Sequence, residues 1–153
     1  MSWQQNLIDD AEGLREILNE VKRVAVLGIK TEAQQAQPAF FVPEYLQGAG
    51  YEIVPVPVYY PEVTTILGEP VYRSLEAVPG EIDMVLVFRR SQDVAKHRDE
   101  LLAAHPKVVW MQTGIRNEEV ARALAEAGVR VVQDRCAMVE HRRLGAERGG
   151  GMR

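Results

Sequence analysis

Only one cysteine, Cys136, occurs in 153 residues, so neither an intramolecular disulfide nor a multi-cysteine metal site can form, and a reducing compartment fits. No run approaches the twenty or so apolar residues that cross a bilayer, and the polar, acidic start from Met1 to Glu20 has no signal-peptide core. A cytoplasmic protein with no membrane partner is the expectation. Positive charge is short too: 18 Lys and Arg against 22 Asp and Glu leave a formal net charge of −4, which argues against nucleic acid as a partner. The local exception is the end, where His141 to Arg153 carries four Arg and one Glu; with Gly149-Gly150-Gly151 it reads as a flexible tail from residue 145 onward. Histidine is scarce, and His97 and His105 have no neighbours at metal-ligand spacing, so solvent exposure and no metal site are expected. The dinucleotide fingerprint G-x-G-x-x-G is missing, since Gly28 stands without its two companions.

What is present is alternation. Apolar residues make up 46% and charged residues 26%, the balance of a single globular domain, expected over residues 1–144. Five short β-branched runs predict strands: Arg23 to Gly28, Tyr51 to Val58, Ile82 to Phe88, Lys107 to Gln112 and Val129 to Gln133. Such continuous Val, Ile and Leu suits strands covered on both faces. Between them the spacing predicts helices. Leu7, Ile8, Ala11, Leu14, Ile17 and Leu18 mark one before the first strand. Pro38 opens a second that carries Phe41, Val42, Tyr45 and Leu46. Ser91 caps a third through Leu101 to Ala104, and Asn117 a fourth that ends at Gly128. From Tyr59 to Gly80, prolines 61, 70 and 79 leave an irregular link with one short turn at Ser74 to Val78. The expected fold is α/β, a three-layer sandwich around a doubly wound five-stranded parallel sheet of order 3-2-1-4-5.

In such a sheet ligands sit beyond the carboxyl ends of the strands. Those ends are Gly28-Ile29-Lys30, Val56-Pro57, Phe88-Arg89, Gln112-Thr113-Gly114 and Asp134-Arg135. Gly28 opens space for a backbone approach to a phosphate, or merely permits a turn. The helix starting at Pro38 aims its dipole at the same place.

These blocks carry a resemblance. Val24-Ala25-Val26-Leu27-Gly28, Val42-Pro43-Glu44-Tyr45-Leu46, Gly50-Tyr51 with Val54-Pro55-Val56, Ile82-Asp83-Met84-Val85 with Phe88-Arg89, Val109 to Ile115, and Asp134-Arg135-Cys136 with Glu140 follow in order. Together, from Val21 to Leu144, they resemble the small stand-alone CoA-binding proteins, which are similar to the N-terminal CoA-binding domain of the succinyl-CoA synthetase alpha subunit. The resemblance implies a Rossmann-like domain that holds coenzyme A or an acyl-CoA non-covalently. It implies the pyrophosphate at Gly28, Ile29 and Lys30, and the ribose and 3′-phosphate along Val56, Pro57 and Val58. The adenine then lies at Phe88 and Arg89, and the pantetheine arm at Gln112, Thr113 and Gly114. Lys30, Arg89 and Arg90 offset its charge. The synthetase's second domain, with its phosphorylated histidine, has no counterpart here, so the full ligase reaction and catalytic residues are not expected.

Two departures keep alternatives open. Gln37 stands where the family carries an Arg before the helix, and Tyr59 and Tyr60 where a basic residue often follows the second strand. Each lost charge-assisted contact costs about 1.5–3 kcal/mol. A degenerate nucleotide scaffold acting through a homodimer or another partner is the second reading. A third is thiol chemistry on a CoA substrate at Cys136, against small-residue packing after a strand. Asp134 and Arg135 read as an ion pair that Glu140 extends, and Phe40, Phe41, Tyr45 and Tyr51 as core.

Overall fold

The computed structural model describes residues 2–145, and the rest of the expected tail, from residue 146, lies outside the described residues. The strands are β1 (Arg23–Leu27) and β2 (Glu52–Val56), a small antiparallel hairpin of β3 (Thr65–Ile66) and β4 (Glu69–Pro70), then β5 (Met84–Val87), β6 (Val108–Met111) and β7 (Arg130–Val132). All but the hairpin pair in parallel as one five-stranded sheet of order β2-β1-β5-β6-β7. The α/β class and the parallel sheet are as the residue pattern predicts.

The expected strand order needs correction. The third long strand, β5, lies beside β1 and not outside β2, so β2 is an edge. Pro55 supplies the reason. Proline has no N–H to give a ladder and is confined to edges, and Pro55 turns its polar side away from β1, where its carbonyl accepts from Tyr72 N–H at 2.9 Å. An interior β2 would leave a carbonyl of its neighbour without that donor.

Among the described residues six α-helices cover the sheet: α1 (Ala11–Glu20), α2 (Pro38–Gly48), α3 (Ser91–Val94), α4 (Arg98–Ala104), α5 (Glu118–Glu126) and α6 (Ala137–Leu144). Leu14, Ile17 and Leu18 of α1 join Phe40, Val42 and Leu46 of α2 and Leu144 of α6 on one face. On the other, Leu101 of α4 and Val120, Ala121 and Leu124 of α5 pack with Leu75 and Val78 of the link between β4 and β5. Burying each such side chain contributes about 1.5–3 kcal/mol. Leu7 and Ile8 fall outside α1. Leu7 instead bridges Val131 in parallel, and Ile8 N–H donates to the Val131 carbonyl. The expected third helix is broken into α3 and α4 by a tight turn at Ala95–His97, and Ser91 Oγ does not cap it. That hydroxyl donates to Gly114 O and accepts from Arg116 N–H. The sequence reading also missed α6, whose inner face holds the polar Glu140 and His141 beside Ala137 and Leu144.

Register fixes the functional rim. Leu27 is level with Val56 on one side and Val87 on the other, and Val87 with Met111. The next residues, Gly28, Pro57, Phe88 and Gln112, therefore leave the sheet side by side.

Candidate functional site

Two recesses open on that rim. The larger, about 770 Å³, draws its walls from the start of α2 (Pro38, Phe41, Val42), the ends of β5 and β6 (Phe88, Arg89, Gln112, Thr113, Gly114) and the start of α6 (Cys136, Met138, Val139), with Lys30 and Gln37 at its mouth. The smaller, about 680 Å³, lies between Val56, Pro57, Val58, Tyr59 and Tyr60 after β2 and Arg73, His97 and Glu100. Of the eleven residues expected at the strand ends, six thus line the larger recess and three the smaller. Gly28 and Ile29 line neither; Ile29 is buried in the core.

Two amides of the loop after β1 are spent inside the fold. Gly28 N–H donates to Val56 O at 2.9 Å, and Lys30 N–H to Ala39 O at 3.1 Å. Gly28, at φ +90°, makes room for the protein itself: a Cβ there would stand 2.3 Å from Phe88 O and 3.3 Å from Arg89 Cδ. A main-chain cradle for an anion is therefore not formed by Gly28 and Lys30. The loop is rigid, because Thr31 and Gln34 cap each other reciprocally and Glu32 accepts from Leu67 N–H at 2.8 Å. What remains open is the start of α2. Pro38 has no N–H, Gln37 offers no side-chain cap, and among the described residues nothing accepts from Ala39 N–H, at the positive end of the helix dipole.

Three cations surround this point, in different states. Among the described residues no carboxylate pairs with Lys30. Arg90 is paired with Asp93 at 2.9 Å, and Lys96 takes the other oxygen at 3.1 Å. These hydrogen bonds, that to Arg90 foremost, hold the Asp93 carboxyl below its ordinary range. Arg89 faces no carboxylate; its Nε–H donates to His97 Nε2 at 3.1 Å, and its guanidinium carbon lies 5.9 Å from the centre of the Tyr59 ring. His97 is therefore not a solvent-facing residue, and its side chain is only 14% exposed. Sequence spacing carried one sign of this, a Glu three residues on at position 100.

The expected Asp134–Arg135 ion pair is also replaced. Asp134 accepts from Gly114 N–H at 2.6 Å, while Arg135 reaches Asp9 at 2.8 Å and the buried Glu140 at 3.3 Å. The hydrogen bond to Asp9 is the main cause raising the Arg135 pKa. Gln112 turns inward, its Oε1 accepting from Ala137 N–H at 2.8 Å, and so fixes α6 against β6. Cys136 precedes α6 and is partly exposed on the wall of the larger recess. Among the described residues there is no cluster of three or more His, Cys, Asp or Glu able to hold a metal, and no helix long and apolar enough to cross a membrane.

A model of the CoA binding domain matches residues 22–142, which spans every strand of the sheet and both recesses. The chain belongs to this CoA-binding family. The match agrees with the resemblance read from the ordered blocks. An uncharacterised protein of Bacillus subtilis strain 168, YneT, is 38% identical to the chain over 128 residues, 84% of this chain and 91% of its own length. A solved structure from Thermus thermophilus, described as cell-free ID.343, is 40% identical with a TM-score of 0.81, covering 89% of this chain and 99% of that one. The dinucleotide-forming acetyl-coenzyme A synthetase 1 of Candidatus Korarchaeum cryptofilum shares the fold at a TM-score of 0.61 and 21% identity, over 76% of this chain and 26% of that one.

Proposed function

We propose that this chain is a cytoplasmic protein that binds coenzyme A or an acyl-CoA non-covalently, laid across the strand ends from the smaller recess to the larger. The observation that carries the reading is Arg89, which lines the larger recess and touches His97 and Tyr59 of the smaller, a cation that no carboxylate of the described residues neutralises, inside a member of the CoA-binding family. Coenzyme A has matching parts in matching order. Its adenosine suits the aromatic and polar recess with Tyr59, Val56, Pro57 and Val58. Its diphosphate suits the junction with Arg89, Lys30 and the Ala39 N–H. Its slender, largely apolar pantetheine suits the recess walled by Phe41, Phe88, Ile115 and Met138, with Gln112, Thr113 and Gly114 at the rim. Charge complementarity at three fixed donors is the physical basis of the affinity.

The test is calorimetric titration of the pure protein with CoA and 3′-dephospho-CoA, with mass spectrometry of whatever leaves the protein on denaturation. Heat with either ligand, or recovered CoA, supports the reading; silence at millimolar ligand rejects it. A second reading, a scaffold for a second copy or another partner, draws on Tyr59 and Val139, apolar residues 61% and 48% exposed at the rims. A dimer in solution with no nucleotide recovered supports that one instead.

A further inference from the structure

Arg89 is held from behind by a partly buried chain of hydrogen bonds. Glu100 on α4 takes the Leu75 N–H on Oε2 at 2.9 Å, and its Oε1 lies 2.6 Å from His97 Nδ1. His97 Nε2 in turn lies 3.1 Å from Arg89 Nε. A guanidinium only donates, so Nε2 must be the bare acceptor and the ring proton sits on Nδ1, donated to Glu100. The His97 and Glu100 side chains are 14% and 19% exposed, so the chain of bonds is partly buried along the wall of the smaller recess. Only Nε of Arg89 is used: among the described residues nothing accepts from its two Nη groups. Its neighbour Arg90, by contrast, is 73% exposed and spent on Asp93.

We propose that His97 and Glu100 are positioning residues, which orient Arg89 so that its Nη groups are preset for the diphosphate of the bound ligand. This rests on the CoA reading above and assigns a role to two residues that reading does not use. An arginine already fixed by its Nε loses little side-chain freedom on binding an anion.

The experiment is calorimetry on the full chain with CoA and with pantetheine, joined to ¹⁵N NMR of the histidine rings. The wild type is expected to show His97 as the Nδ1–H tautomer. His97→Ala should weaken CoA about three- to tenfold and leave pantetheine unchanged, and in an Arg89→Ala background it should change nothing further. His97→Gln, whose amide oxygen can accept from Arg89, should restore the affinity, and it carries the test if the alanine variant does not fold. The proposal is overturned if His97→Ala binds CoA like the wild type, if it weakens pantetheine equally, if its effect survives in Arg89→Ala, or if His97→Gln binds CoA no better than His97→Ala. Failure of the wild type to bind CoA at any pH is a separate result, which removes the CoA reading itself.

Discussion

The backbone of Gly28 and the carbonyl of Phe88 approach so closely that a single methyl group on residue 28 would lie 2.3 Å from Phe88 O. The glycine serves the packing of β1 against β5, at the point where the winding of the sheet reverses. Gly28→Ala combines that collision with a φ of +90°, and we expect a loss of roughly 2–5 kcal/mol. Urea unfolding checks it: a midpoint within error of the wild type would show that the two strand ends can separate freely.

Asp83 joins the start of β1 to the start of β5. Its Oδ2 accepts from Lys22 N–H and Arg23 N–H, both at 2.9 Å, and Lys107 stands 3.7 Å from Oδ1. Burial pushes its pKa up, but the two main-chain donors and Lys107 together outweigh this and hold it below the ordinary value. Because the folded-state pKa is the lower one, the stabilisation is complete above the unfolded value of about 3.9 and fades as pH falls through the folded value. Asp83→Asn is expected to be less stable by about 1–2 kcal/mol at neutral pH, with the gap narrowing on acidification below about pH 4. Unfolding curves from pH 7 to pH 3 measure it, and a gap that widens with acid would contradict the sign.

At the start of α5 the Asn117 side chain accepts from Val120 N–H at 3.0 Å and donates to Ser91 O at 3.3 Å. Asn117→Ala should lose about 1–2 kcal/mol, a drop in Tm of roughly 2–4 °C per kcal/mol for a chain of this size. Asn117→Asp, which keeps the cap, should recover most of it. Calorimetric melting compares the three.

Removing Lys30 should disturb the fold little, since it has no carboxylate partner among the described residues. Lys30→Ala should leave stability within about 0.5 kcal/mol but weaken CoA roughly ten- to hundredfold. Pantetheine, which has no phosphates, should bind as before. Equal CoA affinity in the two proteins at low salt would place the diphosphate elsewhere.

The helices and strands legible in the sequence are those whose apolar residues keep a clean period. Leu14, Ile17 and Leu18 announced α1, and Val120, Ala121 and Leu124 announced α5, because each faces one core. Helix α6 was hidden since Glu140 and His141 interrupt its inner face, and polar residues read as surface until they find partners, here Arg135 and Arg143 close by in the chain for Glu140 and Tyr45 from a distant segment for His141. Strand order was harder. Pro55 carried the correct signal, but run lengths alone give it no weight.

At the site, the strand ends could be named from the sequence, and most of them do gather around two recesses. What could not be read was which backbone donors are already taken. Gly28, Lys30 and Gly114 look available in one dimension, and only the fold brings Val56 O, Ala39 O and Asp134 to them. His97 was misjudged for the same reason, as its partners are an arginine eight residues earlier and a carboxylate one turn later.

The two flanks of the sheet have one further meaning. Tyr72 occupies the outward carbonyl of Pro55 on one flank, and Leu7 and Ile8 engage Val131 on the other. Neither margin offers an unbroken row of unpaired peptide groups onto which a foreign strand could graft. Self-association of this fold must therefore proceed by side-chain contact between helices or loops, and fibrillar growth from the sheet is guarded against at both ends.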